Sequence, residues 1–297
     1  MTFNEKLMPP KGKVDVILDT DAYNEVDDQY AITYLLRNND RLNTLGFCAA
    51  PFFNHRSSSP ADGMKKSYDE ILKLLSILKI TDMPVYSGSE NYLPDENTPV
   101  NSPAAEFIIA SAKKHTPDNP LYVVAIGAIT NVASALLICP EIKNNIVVVW
   151  LGGHERSIDS TEEFNMMQDI PAARAVMQSG VPFVQLPCVG VVDDFNITIS
   201  ELNKELLNTT AIANYLVEST VNYCKPRGDQ AKVIWDVTAI AWLLNECNDY
   251  VSFDIVDTLL PDYNGHMEKT AIPNKMGYVT KIHSDKLKKD LFVKLVK

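Results

Sequence analysis

Short apolar runs and longer amphipathic stretches alternate from one end of the chain to the other. Residues 14–18, apolar except for Asp15, read as a strand, and an apolar helix follows over 28–37. A second strand covers 42–50 and ends in PFFNHRSSSP, a stretch rich in breakers and polar groups. From Met64 onward Tyr68, Ile71, Leu72, Leu75 and Leu78 recur at the 3.6-residue period of an amphipathic helix. Residues 83–103, rich in Pro and Asn, read as a long loop, and 104–114 as a helix. The run 121–126 is almost wholly apolar, as a strand covered on both faces should be. Gly127 turns the chain, and Thr130-Asn131 stand before a helix over 132–138, where their side-chain oxygens are expected to cap it. A further apolar strand, 146–151, ends at Gly152-Gly153, where backbone can approach backbone or ligand closely. The helix over 171–179 has Pro near its start and Gly180 just past its end. Strand 181–186, two helices within 200–223, an apolar helix headed by Trp235-Asp236, and a closing strand and basic helix over 277–297 complete the pattern.

Strands alternating with helices predict βαβ units around a parallel sheet. The expected fold is a single α/β domain over 1–297, with a mostly parallel, Rossmann-like central sheet flanked by helices. No repeat, low-complexity segment or composition break divides the chain.

The first strand drops into Asp19, Asp21, Glu25, Asp27 and Asp28. Five carboxylates within ten residues repel one another, so a positive partner is expected among them. A hard divalent cation held through oxygens is the simplest one. The end of a parallel strand is also where open α/β sheets place ligands. The plain alternative is a solvated acidic loop opening a helix, since Asp and Glu favour a helix N-terminus.

Composition narrows the function. A net charge of −11 argues against a nucleic-acid surface, and the eight lysines against three acids in 268–297 read as a solvated face. Residues 1–13 hold three lysines without an apolar core, unlike a signal peptide, and no apolar run approaches a membrane span. Five cysteines without a CxxC pair point to reduced thiols and a cytoplasmic protein.

Six segments, in order, resemble the inosine–uridine-preferring nucleoside hydrolase family: VILDTDAYNEVDDQYA, PVYSG at 84–88, AIGAITNVASAL at 125–136, VVVWLGGH at 147–154, EEFNMMQDIPAARAVMQSGVPFVQLP at 162–187 and WDVTAIAWLL at 235–244. The resemblance spans nearly the whole chain. It implies Ca²⁺-dependent cleavage of the N-glycosidic bond of ribonucleosides, no nucleic-acid or membrane partner, and a homodimer or homotetramer. It implies that Asp21, Asp28 and Asp236 hold the metal together with the main-chain carbonyl of Ile126. Asp27 corresponds to the carboxylate that activates the metal-bound water, and Asn54, Glu163 and Asn165 to the residues that hold the ribose hydroxyls. That chemistry is coherent by itself. Cleavage builds positive charge on the sugar, a cation acidifies and fixes water, and an adjacent carboxylate takes its proton.

The chain departs from the family pattern at four places. The acidic loop is two residues longer and lacks Pro-Gly, which leaves Asn24 and Glu25 free to enter the metal or ribose shell. Trp235 replaces the histidine many members carry before the C-terminal Asp, and a tryptophan there favours stacking on a purine. Ser157 stands where some members have an asparagine, and Pro187-Cys188 lacks the usual following Asp. His154, after Gly-Gly at a strand end, reads either as an acid for the leaving group or as an ordinary loop histidine, and His55 beside Asn54 is weighed the same way; the ordinary reading is preferred for both. Two other functions compete: a ribose-binding protein that kept the fold without turnover, and a phosphatase of the haloacid dehalogenase type. The latter leaves the other five segments unexplained.

Overall fold

The computed structural model describes residues 1–268 and 270–297. Its strands are β1 (Val14–Thr20), β2 (Leu42–Ala49), β3 (Val85–Ser87), β4 (Leu121–Ala125), β5 (Ile146–Leu151), β6 (Phe183–Leu186), β7 (Asn196–Thr198), β8 (Ala231–Val233), β9 (Val251–Thr258) and β10 (Ile272–Ile282). The helices are α1 (Phe3–Lys6), α2 (Asp27–Arg37), α3 (Pro60–Ile77), α4 (Pro103–Ala112), α5 (Thr130–Ile138), α6 (Phe164–Gln168), α7 (Ile170–Gln178), α8 (Ile199–Glu205), α9 (Ala211–Cys224), α10 (Val237–Leu243) and α11 (Ser284–Leu295).

Eight strands form one sheet in the order β3-β2-β1-β4-β5-β6-β10-β9, parallel except for the antiparallel edge strand β9. β1 is an interior strand, paired to β2 on one side and β4 on the other, so the strand order reverses there. Side chains alternate across the sheet. Val16 and Leu18 enter the core under α2, α3, α9, α10 and α11, whereas Ile17 enters the core under α4, α5 and α7. The result is the expected single α/β domain with helices on both faces. Among the described residues no helix is long and apolar enough to cross a membrane.

The structure corrects several local expectations. The long loop over 83–103 contains β3, a three-residue strand that pairs in parallel with β2. α3 starts at Pro60 because the Ser59 side chain accepts a bond from the Asp62 amide and proline suits the first turn. The apolar period begins only at Met64. β9, half exposed and with Asp254 and Asp257 in it, gave no clear alternation. The small β7–β8 sheet is too short for periodicity to reveal.

Thr130 and Asn131 do not cap a helix; both lie inside α5, whose N-cap Ile129 makes no side-chain cap bond. Thr130 Oγ1 donates to Asp169 Oδ2 at 2.6 Å. Asn131 Nδ2 donates to Asp19 Oδ1 at 2.8 Å and to the Ala49 carbonyl at 3.2 Å, while its Oδ1 accepts from the Ser89 amide at 2.8 Å. Asn131 thus clips together the ends of β1, β2 and the segment after β3. Asn131→Ala would strip buried partners from Asp19 and Ser89. It should destabilise the fold by about 2–4 kcal/mol, read as a lower urea midpoint with an unchanged m-value.

Candidate active site

The parallel strands end at a common edge, and a cleft of about 220 Å³ opens there. The loop from β1 to α2 supplies Asp21, Asn24, Glu25, Asp27 and Asp28 to its wall, the residue after β4 supplies Ile126, and the head of α10 supplies Trp235 and Asp236. Leu151, His154, Glu163, Asn165 and Cys188 close the other side. This is the switch-point position at which open α/β sheets bind ligands.

Carboxylate oxygens of Asp27, Asp28 and Asp236 lie within 4.8 Å of one another, and all three residues are buried. Asp21 sits beside them against Gly127, where an added Cβ would come within 3.1 Å of its carboxylate carbon and Oδ1. Any larger residue there would press that carboxylate aside by a few tenths of an ångström. Asp28 Oδ1 accepts from Thr20 Oγ1. Asp21 Oδ2 and Asp27 Oδ1 are buried with no hydrogen-bond partner. Asp27 and Asp28 occupy the first turn of α2, and Asp236 is the N-cap of α10 yet makes no cap bond. Two helix N-termini therefore face the cluster with their partial positive charge.

That field does not neutralise the crowd. Burial, then the neighbouring aspartates, push Asp21 and Asp236 well above the usual carboxylate range. Burial and Asp27 push Asp28 up to about 7. Burial raises Asp27 as well, partly offset by Lys232. Burial and mutual repulsion thus favour the protonated form of Asp21, Asp28 and Asp236 as long as no cation is bound. A bound cation would give the bare Asp21 Oδ2 a partner. The donor set is all hard oxygen, which fits Ca²⁺ or Mg²⁺.

The sugar-side candidates are spread more unevenly. Glu163 caps α6: its carboxylate accepts from the backbone amides of Gly153 at 2.8 Å and of Asn165 and Met166 at 2.9 Å. Asn165 Nδ2 donates to the carbonyls of Leu151 at 3.0 Å and Ile126 at 3.3 Å, so it ties the ends of β4 and β5 and touches the expected carbonyl ligand. Asn54 is not on the cleft wall; it donates to Asn24 Oδ1 at 2.6 Å and reaches the site through that residue. Trp235 is on the wall, partly buried and packed against the core.

Lys232 escaped the sequence, and His154 and Cys188 were named there without an assigned role in the site. His154 lines the cleft, with a buried Nδ1 lacking any partner and a pKa lowered chiefly by burial. The Cys188 thiol lies against Glu163 where the usual aspartate is missing. Lys232 is buried, 2.7 Å from Glu25 and 3.3 Å from Asp27. The lengthened acidic loop was a signal that an extra cation was needed, but nothing local marks which lysine supplies it.

A model of the family described as inosine-uridine preferring nucleoside hydrolase matches residues 16–288. The chain is 26% identical over 217 residues to the pyrimidine-specific ribonucleoside hydrolase RihA of Escherichia coli O1:K1, an alignment covering 63% of this chain and 69% of that protein. It is 24% identical over 207 residues to an uncharacterized protein of Schizosaccharomyces pombe, spanning 58% of this chain and 65% of the relative. In fold it is similar to a purine-preferring ribonucleoside hydrolase from Gardnerella vaginalis, with a TM-score of 0.76 at 21% identity, over 95% of this chain and 98% of that one.

The cluster makes stability depend on pH. Folded Asp28 binds its proton up to about pH 7, whereas an unfolded aspartate releases it near pH 4. In between, the folded state holds the extra proton, so cation-free stability falls as pH rises. Chelator-treated protein should lose thermal stability from pH 5 to 7.5, and the gain in Tm on adding Ca²⁺ should widen over that range. A gain independent of pH would contradict this account of the cluster.

Proposed function

This chain belongs to the inosine-uridine preferring nucleoside hydrolase family, and we propose that it is a Ca²⁺-dependent ribonucleoside hydrolase with a preference for purines, serving nucleoside salvage in the cytoplasm. The observation that carries the reading is the buried group of Asp27, Asp28 and Asp236 oxygens at the sheet's switch point, with bare oxygens on Asp21 and Asp27. Asp21, Asp28, Asp236 and the Ile126 carbonyl would hold the cation, which when bound would acidify water and engage sugar hydroxyls. Calcium suits this better than magnesium because its shell is larger and more flexible.

Asp27 then acts as the general base toward the water that attacks the anomeric carbon. Its Oδ1 is the oxygen left without a hydrogen bond. Glu163, Asn165 and, through Asn24, Asn54 orient the ribose; held by the bonds described above, they present a fixed frame rather than mobile side chains. As the C–N bond breaks, positive charge develops on a sugar surrounded by carboxylates, which favours the transition state over the neutral substrate. Trp235 stacks on the departing base, whose ring nitrogen takes its proton from solvent. A pyrimidine preference is the second reading, favoured by the pyrimidine-specific relative. The assembly expected is a homodimer or homotetramer.

Incubation with inosine, guanosine, adenosine, uridine and cytidine, with base and ribose quantified, tests the reading. Chelator-sensitive purine release is expected; release from pyrimidines alone would remove the stacking argument. Asp27→Ala should lower kcat by about 10²–10⁴-fold with cation binding retained. A fully active variant would dismiss Asp27 as the base. Asp236→Ala should weaken the cation itself in a calorimetric titration. Trp235→Ala should cost purines about tenfold in kcat/KM and pyrimidines less.

A further inference from the structure

We propose that Lys232 is a positioning residue, one that orients Asp27 and fastens the lengthened loop between β1 and α2 over the cleft. The inference rests on the hydrolase reading for its consequence in turnover. Its structural basis is independent of that reading.

β8 pairs with β7, Lys232 opposite Ile197, and the pairing is extended by the Ile234 amide on the Phe195 carbonyl and the Ile199 amide on the Gln230 carbonyl. This small sheet carries the Lys232 side chain inward, where it is 8% exposed. Its ammonium meets three oxygens: Glu25 Oε2 at 2.7 Å, the Val233 carbonyl at 2.8 Å and Asp27 Oδ1 at 3.3 Å. An ammonium has three protons to give and no acceptor role. The Asp27 approach is an ion pair without a well-aligned hydrogen bond, so Oδ1 is drawn toward one place while its lone pairs stay open. A general base needs that combination.

Glu25 anchors the other half. Its Oε1 accepts from Tyr223 Oη at 2.7 Å, and the Tyr223 ring has the Arg227 guanidinium 4.0 Å and the Lys232 ammonium 5.6 Å from its centroid. Without Lys232, Glu25 and Asp27 would face each other with one cation fewer, and the loop would lose its main tie to β8. A buried pair broken from one side leaves an uncompensated charge. A misplacement of about 1 Å at a reacting group costs on the order of 10²-fold in rate.

The test compares wild type, Lys232→Met and Lys232→Arg, all loaded with Ca²⁺. Two readouts are taken: kcat and KM on the best-cleaved ribonucleoside, and amide hydrogen exchange in peptides covering the β1–α2 loop and β4. Lys232→Met should lower kcat by about 100-fold with KM changed less than about threefold. Loop exchange should rise at least about tenfold while β4 stays protected, and Lys232→Arg should recover part of both. Wild-type kcat and loop exchange in Lys232→Met would overturn the proposal. So would loss of protection in β4 together with the loop, because Lys232 would then be a general stability residue. If the wild-type protein released no base at all, the hydrolase reading would fall, and loop exchange alone would still decide whether Lys232 is the fastener.

Discussion

Burying carboxylates together is the constraint on which this structure turns. Asp21, Asp27, Asp28 and Asp236 are all removed from water at one end of the sheet. An ionised carboxylate leaves water at great cost unless something positive or a proton compensates. The fold supplies partial compensation from the N-termini of α2 and α10 and from one buried ammonium, and the remainder calls for protons or a cation. The same demand that makes the site expensive makes it selective: only an occupant bringing positive charge relieves it.

The surroundings hold this unfavourable arrangement in place. Asn131 binds the end of β1 to those of β2 and the segment after β3, and Asn165 binds the ends of β4 and β5. Both asparagines spend their amides on strand ends rather than on solvent. Glu163 joins the amide of Gly153, just after β5, to the first amides of α6 through its carboxylate. The rim of the cleft is therefore stiff on the sheet side. The loop between β1 and α2 depends on side chains from elsewhere: Asn54 on Asn24, Tyr223 and Lys232 on Glu25.

Much of the framework was legible in the chain because its signals are local. The apolar runs that became β1, β4, β5 and β6 are buried on both faces, and no polar alternation obscures them. The carboxylates of the first loop announced a site because their crowding is a sequence fact. The edge strands β3 and β9 were hidden for the opposite reason: they are short or half exposed, so burial imposes little pattern on them. Thr130 and Asn131 looked like helix caps because the same oxygens that cap helices also bind strand ends, and only the packing distinguishes the two.

By itself the sequence determined the α/β alternation, the acidic loop at the end of the first strand, and the family resemblance that gathered Asp21, Asp27, Asp28, Asn54, Ile126, Glu163, Asn165, Trp235 and Asp236 as candidates. The tertiary structure decided which of them meet. It brought Asp236 to Asp27 and Asp28 across two hundred residues, set Asn54 behind Asn24, placed His154 and Cys188 on the cleft wall, and buried Lys232 against Glu25 and Asp27. Periodicity reports which face of an element is buried. Which charges are buried together depends on how distant strands and loops converge, and no local pattern encodes that.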